Sequence, residues 1–299
     1  MRGVTLGVLI VTLAMAPAAA SESSRAGAGS QGRLAYSERF WPKDDRIVDN
    51  WEILVRKVGG RASTNLTRNP RCDDLTPAWS HDGRWIAFAC DGGRFSGIEV
   101  IGENGSGRKR VVRLPNRRPF DPAWSPDDRK LAFALGSGIW TVNVDGSGLR
   151  RLSGGRDSSP TWSADGRTMA FQRRVRGVFA VVQMRAGGGG QHVIARNASE
   201  PTWSPDGKTI AYISRGALWL MDPDGSRQRR VPRVPRAGGG WGVIEAAWSP
   251  DSRYLAYQHY GTESTARGVH AIAVDGTSRR LLFKFLDPLP GIAWGPLAS

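Results

Sequence analysis

One phrase recurs six times along the chain and limits its fold more than any other feature. Pro77-Ala-Trp79-Ser-His-Asp-Gly-Arg-Trp-Ile-Ala-Phe88 returns, with small changes, as Pro122 to Phe133, Pro160 to Phe171, Pro201 to Tyr212 and Ala246 to Tyr257. A sixth copy opens at Ile292-Ala-Trp294-Gly-Pro. Successive Trp residues of the phrase are 45, 38, 41, 45 and 46 positions apart. A fixed period of this length marks copies of one supersecondary unit, none of which can bury its apolar face alone.

Within each copy an apolar strand runs through the Trp, a Ser-Pro-Asp-Gly turn presets the reversal, and an Ile-Ala-Phe strand returns. A third strand follows, as in Gly138 to Gly146, Gly216 to Gly225 and Gly268 to Gly276, and ends in an Asp-Gly hairpin signal. A fourth, basic strand ends the unit, as at Arg150-Arg151-Leu152 and Arg279 to Leu282. Four short strands per unit of about 40–45 residues are the signature of a propeller blade. The sixth copy supplies only a first strand. The segment Gly32 to Tyr36 reads as the missing second strand, Trp51 to Val55 as the third and Thr64 to Thr67 as the fourth. The two ends are therefore expected to complete one blade, because a ring left open would expose an unpaired sheet edge. The expectation is an all-β fold: a six-bladed β-propeller with four-stranded antiparallel blades, closed by N- and C-terminal strands that share one blade. Residues 33–299 number 267, or six units averaging 44.5, and form one domain.

The Trp-Ser-Pro-Asp-Gly plus Ile-Ala-Phe/Tyr phrase resembles the WD40-like β-propeller repeat of TolB-type periplasmic proteins. That resemblance implies a six-bladed binding platform in the cell envelope or secreted space. Full TolB proteins also carry an N-terminal α/β domain that meets the Tol system. The repeats are expected to leave no residues for it, so those partners are not carried over.

Residues 1–20 read as an export signal: Arg2, then an apolar run from Val4 to Met15, then Ala18-Ala19-Ala20 as a cleavage site. The run is shorter than the roughly 20 residues of a spanning helix, which disfavours the alternative of an uncleaved anchor. No transmembrane segment is expected after cleavage. Residues 21–32 are small, polar and Gly-rich, the composition of a flexible linker. They include Gly27-Ala-Gly29-Ser-Gln-Gly32, but no strand precedes those glycines to make a dinucleotide site. The localisation expected is exported: periplasmic, cell-wall-associated or secreted. Charged residues at 23% and hydrophobic ones at 40% exclude a disordered polyelectrolyte and a multi-span membrane protein. The net charge of +15 predicts attraction to anionic surfaces.

Trp79, Trp124, Trp162, Trp203, Trp248 and Trp294 are read as core, large rings at one register that fill the space between blades. Asp222-Pro-Asp224-Gly225 looks like part of a calcium loop but offers too few oxygens, and Gly207-Lys208-Thr209 lacks the upstream Gly of a phosphate loop. No metal site and no cofactor are expected. Cys72 and Cys90 flank the first two strands of one blade and are expected to form a disulfide on one propeller face, worth about 3 kcal/mol. Arg108-Lys109-Arg110, Arg150-Arg151, Arg229-Arg230 and Arg279-Arg280 fall on fourth strands. They read as charged protection of the outer edges, with weak binding of an anionic polymer as the alternative.

No Gly-x-Ser-x-Gly elbow and no His-Glu-x-x-His motif is present, and the four histidines occupy different places in the blade plan. No catalytic residues are therefore named. Recognition on repeat scaffolds is carried by loops that depart from the repeat. Four such loops hold Phe40, Trp41, Asp44, Asp45 and Arg46; Arg94 and Phe95; Arg233 and Trp241; and Tyr260 and Glu263. They should emerge on one face of three consecutive blades, with Trp41, Phe95, Tyr260 and Trp241 as anchors and the charges as rim. The alternative is solvated loops without a ligand. The expected function is a non-catalytic, monomeric platform for an envelope or secreted protein partner. The rivals are a carbohydrate-active or lyase-like propeller enzyme and a polyanion or cell-wall polymer binder.

Overall fold

The computed structural model describes residues 32–40, 50–69, 71–235, 242–260, 267–285 and 289–296. The expected leader and all of the linker except Gly32 lie outside them. Blade 1 contains β1 (Arg33–Phe40), β2 (Asn50–Lys57) and β3 (Ser63–Asn65). Blade 2 contains β4 (Asp73–Trp79), β5 (Trp85–Asp91), β6 (Gly97–Gly102) and β7 (Lys109–Arg113). Blade 3 follows with β8 (Pro119–Trp124), β9 (Lys130–Leu135), β10 (Gly138–Asn143) and β11 (Arg150–Arg151). Blade 4 has β12 (Asp157–Trp162), β13 (Thr168–Val175), β14 (Val178–Arg185) and β15 (His192–Arg196). Blade 5 has β16 (Ser199–Trp203), β17 (Ile210–Ser214), β18 (Ala217–Met221) and β19 (Arg229–Arg230). Blade 6 has β20 (Gly242–Trp248), β21 (Tyr254–Tyr260), β22 (Gly268–Ala273) and β23 (Arg279–Phe283), and β24 (Ile292–Gly295) returns to blade 1. Among the described residues the one helical segment is a 3-10 turn at Gly93–Phe95, and no helix is long and apolar enough to cross a membrane.

The repeated turn is fixed by its own side chains. Ser80 Oγ donates to Asp82 Oδ1 at 2.6 Å and accepts the Trp85 amide at 2.9 Å, while Asp82 also accepts the Arg84 amide. The same Ser–Asp pair recurs at Ser125–Asp127, Ser163–Asp165, Ser204–Asp206 and Ser249–Asp251. The hydroxyl donor holds the carboxyls of Asp127 and Asp165 below the usual range.

The sheets turn their apolar residues toward each other, so the core is six clusters, one between each pair of neighbouring blades. Phe88, Phe133, Phe171 and Tyr257 sit at one register of the second strands and are fully enclosed. Burial of each such side chain is worth about 1.5–3 kcal/mol. The six Trp of the phrase lie in these clusters. Trp124, Trp162 and Trp248 also donate their indole N–H to carbonyls of the preceding blade, at Ala78, Ala123 and Thr202.

The ring closes within blade 1, where β24 pairs antiparallel with β1 in the register Leu34↔Trp294 and Tyr36↔Ile292. Arg33 secures the seam. Its guanidinium donates to the Pro296 and Gly83 carbonyls, pairs with Glu103, and lies 4.6 Å over the Trp79 ring. In the last copy Gly295 replaces the Ser of the phrase, and the packing explains why: a Cβ there would stand 2.4 Å from the Trp79 ring.

Strand order gives the wheel two distinct faces. First-to-second and third-to-fourth turns lie on one face; hairpin tips between second and third strands, and the links between blades, lie on the other. On this second face the Cys72–Cys90 disulfide ties the start of β4 to the end of β5, with Cα atoms 5.2 Å apart. The fourth-strand arginines do more than line the edge. Arg108 turns inward to pair with the buried Asp74 and Glu99, Arg110 pairs with Glu99, and Arg279 donates to the Tyr257 hydroxyl.

Candidate functional site: an acid-lined channel

The innermost strands of all six blades enclose a central cavity of about 330 Å³. In blades 2 to 5 each innermost strand carries a bulge three residues before the Trp: register is lost between Leu75 and Ala78, Phe120 and Ala123, Ser158 and Thr161, and Ser199 and Thr202. The first bulged residue is Thr76, Asp121, Ser159 or Glu200, and each has a left-handed φ between 48° and 52°. A residue with a Cβ in this region costs about 1–2 kcal/mol. The strain is repeated in four blades, and its effect is to place a polar side chain in the channel. Glu245 occupies the matching position in blade 6 and Gly291 in blade 1.

These positions are linked from blade to blade around the channel. Thr76 Oγ1 accepts the Asp121 amide at 3.1 Å, and Asp121 Oδ2 accepts both the amide and the hydroxyl of Ser159 at 3.1 Å. The Glu200 carboxyl meets the Ser159 side chain. Glu245 accepts the Ile292 amide at 3.2 Å and the Gln258 side-chain amide at 2.7 Å. Gln258 in turn is clamped by the Leu289 backbone, so Glu245 is held in place from behind.

Three carboxyls thus share one enclosed space, and no basic side chain contributes to the shift of any of them. Burial raises the Asp121 carboxyl. Burial, and then the charge of Asp121, push Glu200 up to about 8. Burial, followed by the charges of Glu200 and Asp121, raises Glu245 well above the carboxylate range. A strongly basic wheel therefore has an acidic hub. Carboxylate oxygens suit hard cations. Their donor atoms here do not converge, however. Among the described residues the one group of three ligand side chains within 4.8 Å is Cys72, Asp74 and Cys90, whose sulfurs are bonded to each other.

The histidines form no catalytic cluster in the channel. His81 meets Asp128 in a turn, and His192 contacts the Gly190 carbonyl. His259 lies in strand β21 rather than in the following loop, because pairing with Val243 and Gly268 extends that strand. It is buried edge-to-face against His270 at 6.0 Å, with neither ring nitrogen hydrogen-bonded among the described residues. Burial and the nearby charge of Arg279 lower its pKa.

Of the loop residues named from the sequence, Trp41, Asp44, Asp45, Arg46, Trp241 and Glu263 lie outside the described residues, as does the side chain of Phe40. Arg94 and Phe95 form the 3-10 turn at the tip of blade 2, where the guanidinium stands 5.0 Å from the ring. Tyr260 ends β21 between Phe285 and Arg267, with the Arg267 guanidinium 4.6 Å from the ring. Arg233 donates to the Thr277 carbonyl and so clasps blade 5 to blade 6. Blade 1 separates Phe95 from Tyr260. The channel position was not singled out from the sequence, although it left a signal: a Thr, Ser, Asp or Glu stands directly before the start of all but the last copy of the phrase.

A family model described as TolB beta propeller domain matches residues 31–218. No curated protein matches the sequence. Among solved structures, TolB from Acinetobacter baumannii is similar over 89% of this chain and 67% of its own, at 18% identity and a TM-score of 0.69. A chain of a nidogen/laminin complex is similar over 90% and 100%, at 12% identity and a TM-score of 0.68. An oligogalacturonate lyase in complex with manganese is similar over 86% and 75%, at 16% identity and a TM-score of 0.54. At these identities the likeness is one of fold.

Proposed function

The chain belongs to the TolB beta propeller domain family, and from that membership we propose that it is an exported, non-catalytic interaction platform whose channel receives a basic segment of a protein partner. The observation that carries this reading is the hub itself: Asp121, Glu200 and Glu245 face one cavity, and no basic group enters the balance of their charges. An arginine or lysine entering the channel meets carboxyls in a medium less polar than water, where a charge pair is stronger than at the surface. We further propose Arg94, Phe95 and Tyr260, together with the sequence-named Trp41 and Trp241, as the residues that contact the rest of the partner. The disulfide supports export, since such bonds persist in oxidising compartments.

A lyase-like enzyme is the second reading, favoured by the fold shared with the oligogalacturonate lyase. The channel lining opposes it, because among the described residues it holds no Arg or Lys to pair with the carboxylates of a polyuronate. Immobilised wild-type protein and an E200Q/E245Q variant, challenged with the same envelope extract, separate the two. The platform reading expects a basic partner retained by the wild type and reduced at least tenfold on the variant. Equal retention on both overturns it, and unsaturated uronate released from oligogalacturonate in the presence of manganese establishes the rival.

A further inference from the structure

The hairpin of blade 4 stands above those of the two blades beside it. From the Trp of the phrase to the end of the second strand is 13 residues in blade 4, Trp162 to Val175, but 11 in blades 3 and 5, Trp124 to Leu135 and Trp203 to Ser214. Two further residues at about 3.4 Å each lift the tip about 7 Å above both neighbours. The pairs that form the tip are Val175↔Val178 and Arg174↔Phe179, joined through Arg176 and Gly177, both at positive φ. With no neighbouring blade of the same height to cover them, Val178 is 51% exposed and Phe179 41%.

Arginines surround this apolar tip. Arg174 lies 5.9 Å over the Phe179 ring, and Arg176 makes the turn. Arg196 pairs in register with Ala180, directly below Phe179. Arg156 adjoins Arg174 through a backbone hydrogen bond. Arg215 heads the hairpin of blade 5, which Ser214 fastens to the Asn197 carbonyl. All five are exposed, and none has an ion pair among the described residues. The carboxylate at this end of blade 4, Asp157, is buried and already held by Arg173.

We propose that this hairpin docks on the surface of a bilayer containing anionic phospholipid, with Val178 and Phe179 entering the boundary between headgroups and acyl chains while the five arginines take phosphates. A convex apolar apex inside a ring of cations matches a soft, flat anionic surface. Guanidinium groups bind phosphate through two parallel hydrogen bonds, and their stems cover apolar surface while the charge stays in the headgroup layer. A nucleic acid or an acidic polysaccharide would satisfy the arginines but offers no apolar phase to the two hydrophobic side chains. The inference is independent of the reading of the channel.

Co-sedimentation of the full chain with phosphatidylcholine vesicles, and with vesicles mixing phosphatidylcholine and phosphatidylglycerol, tests it. Wild-type protein is expected to partition onto the mixed vesicles at least tenfold more than onto phosphatidylcholine alone. R174Q/R176Q and V178S/F179S should each reduce that binding about tenfold, while R174K/R176K retains most of it and E200Q/E245Q all of it. Arg174, Arg176, Val178 and Phe179 are exposed, and thermal unfolding of R174Q/R176Q, V178S/F179S and R174K/R176K should show the wild-type midpoint. The proposal is overturned if wild-type protein ignores phosphatidylglycerol. It is equally overturned if V178S/F179S binds vesicles like the wild type while heparin captures both, which would make the patch a polyanion site without an apolar component.

Discussion

Ending the chain before Ile292, or replacing Trp294 by alanine, is expected to destabilise the whole wheel by about 3–5 kcal/mol rather than fray one blade. The last strand is the innermost strand of blade 1, so its loss strips β1 of its inner partner from Arg33 to Tyr36, leaving β2 alone beside it. Trp294, 7% exposed, also fills the cluster between blades 6 and 1 with Leu34, Ala256 and Ile292. Without it two blade interfaces open at once, because the neighbouring cluster between blades 1 and 2 depends on the same seam through Arg33 and Trp79. Denaturant unfolding should show one transition at a markedly lower midpoint. Gly295→Ser probes the seam more gently: the added Cβ must displace the Trp79 ring, at a cost of about 1–3 kcal/mol. An unchanged midpoint in all three proteins would mean that the seam does not bind the ring together.

Raising the pH from about 4.5 to about 8 is expected to weaken the fold, and Glu200→Gln should remove much of that loss. In the unfolded chain Glu200 releases its proton near the ordinary glutamate value of 4.5, whereas in the wheel it keeps it up to about 8. Between those values the native state binds more protons than the unfolded state, so stability falls as pH rises, and levels off above the folded value. A shift of this size corresponds to at most about 5 kcal/mol. Coupling of its titration to that of Asp121 brings the expected gain of Glu200→Gln at pH 8.5 to about 2 kcal/mol. At pH 4.5 the variant and the wild type should have the same midpoint, because the wild-type carboxyl is then protonated as well. Unfolding midpoints across this range check the sign: a variant less stable than the wild type at pH 8.5 would show that Glu200 is ionised and compensated.

The wheel was legible in the sequence because each blade repeats the same local solution. The Ser-x-Asp turn, the Trp that bridges to the preceding blade and the Ile-Ala-Phe strand each leave a residue pattern, and the incomplete sixth copy pointed to the shared blade that pairs Leu34 with Trp294. The hub was harder to see. Thr76, Asp121, Ser159 and Glu200 reach the channel through a left-handed bulge at non-glycine residues, for which no glycine serves as a marker. Their chemistry arises only when strands some 40 residues apart converge, as Asp121 meets Ser159. The fourth-strand arginines misled in a similar way. Read alone they are edge charges, but Arg108 has Asp74 and Glu99 as inward partners that only the fold brings within reach.

Carbon-13 NMR of the side-chain carboxyls in Asp- and Glu-labelled protein observes the hub directly. At pH 7 at least two resonances are expected still in the protonated position, one lost in Glu200→Gln and another in Glu245→Gln, both titrating far above the exposed acids. If the resonances lost in Glu200→Gln and Glu245→Gln have instead ionised by about pH 5.5, as ordinary carboxylates do, the channel is not an uncompensated acidic hub and the proposed receptor for a basic segment is lost with it.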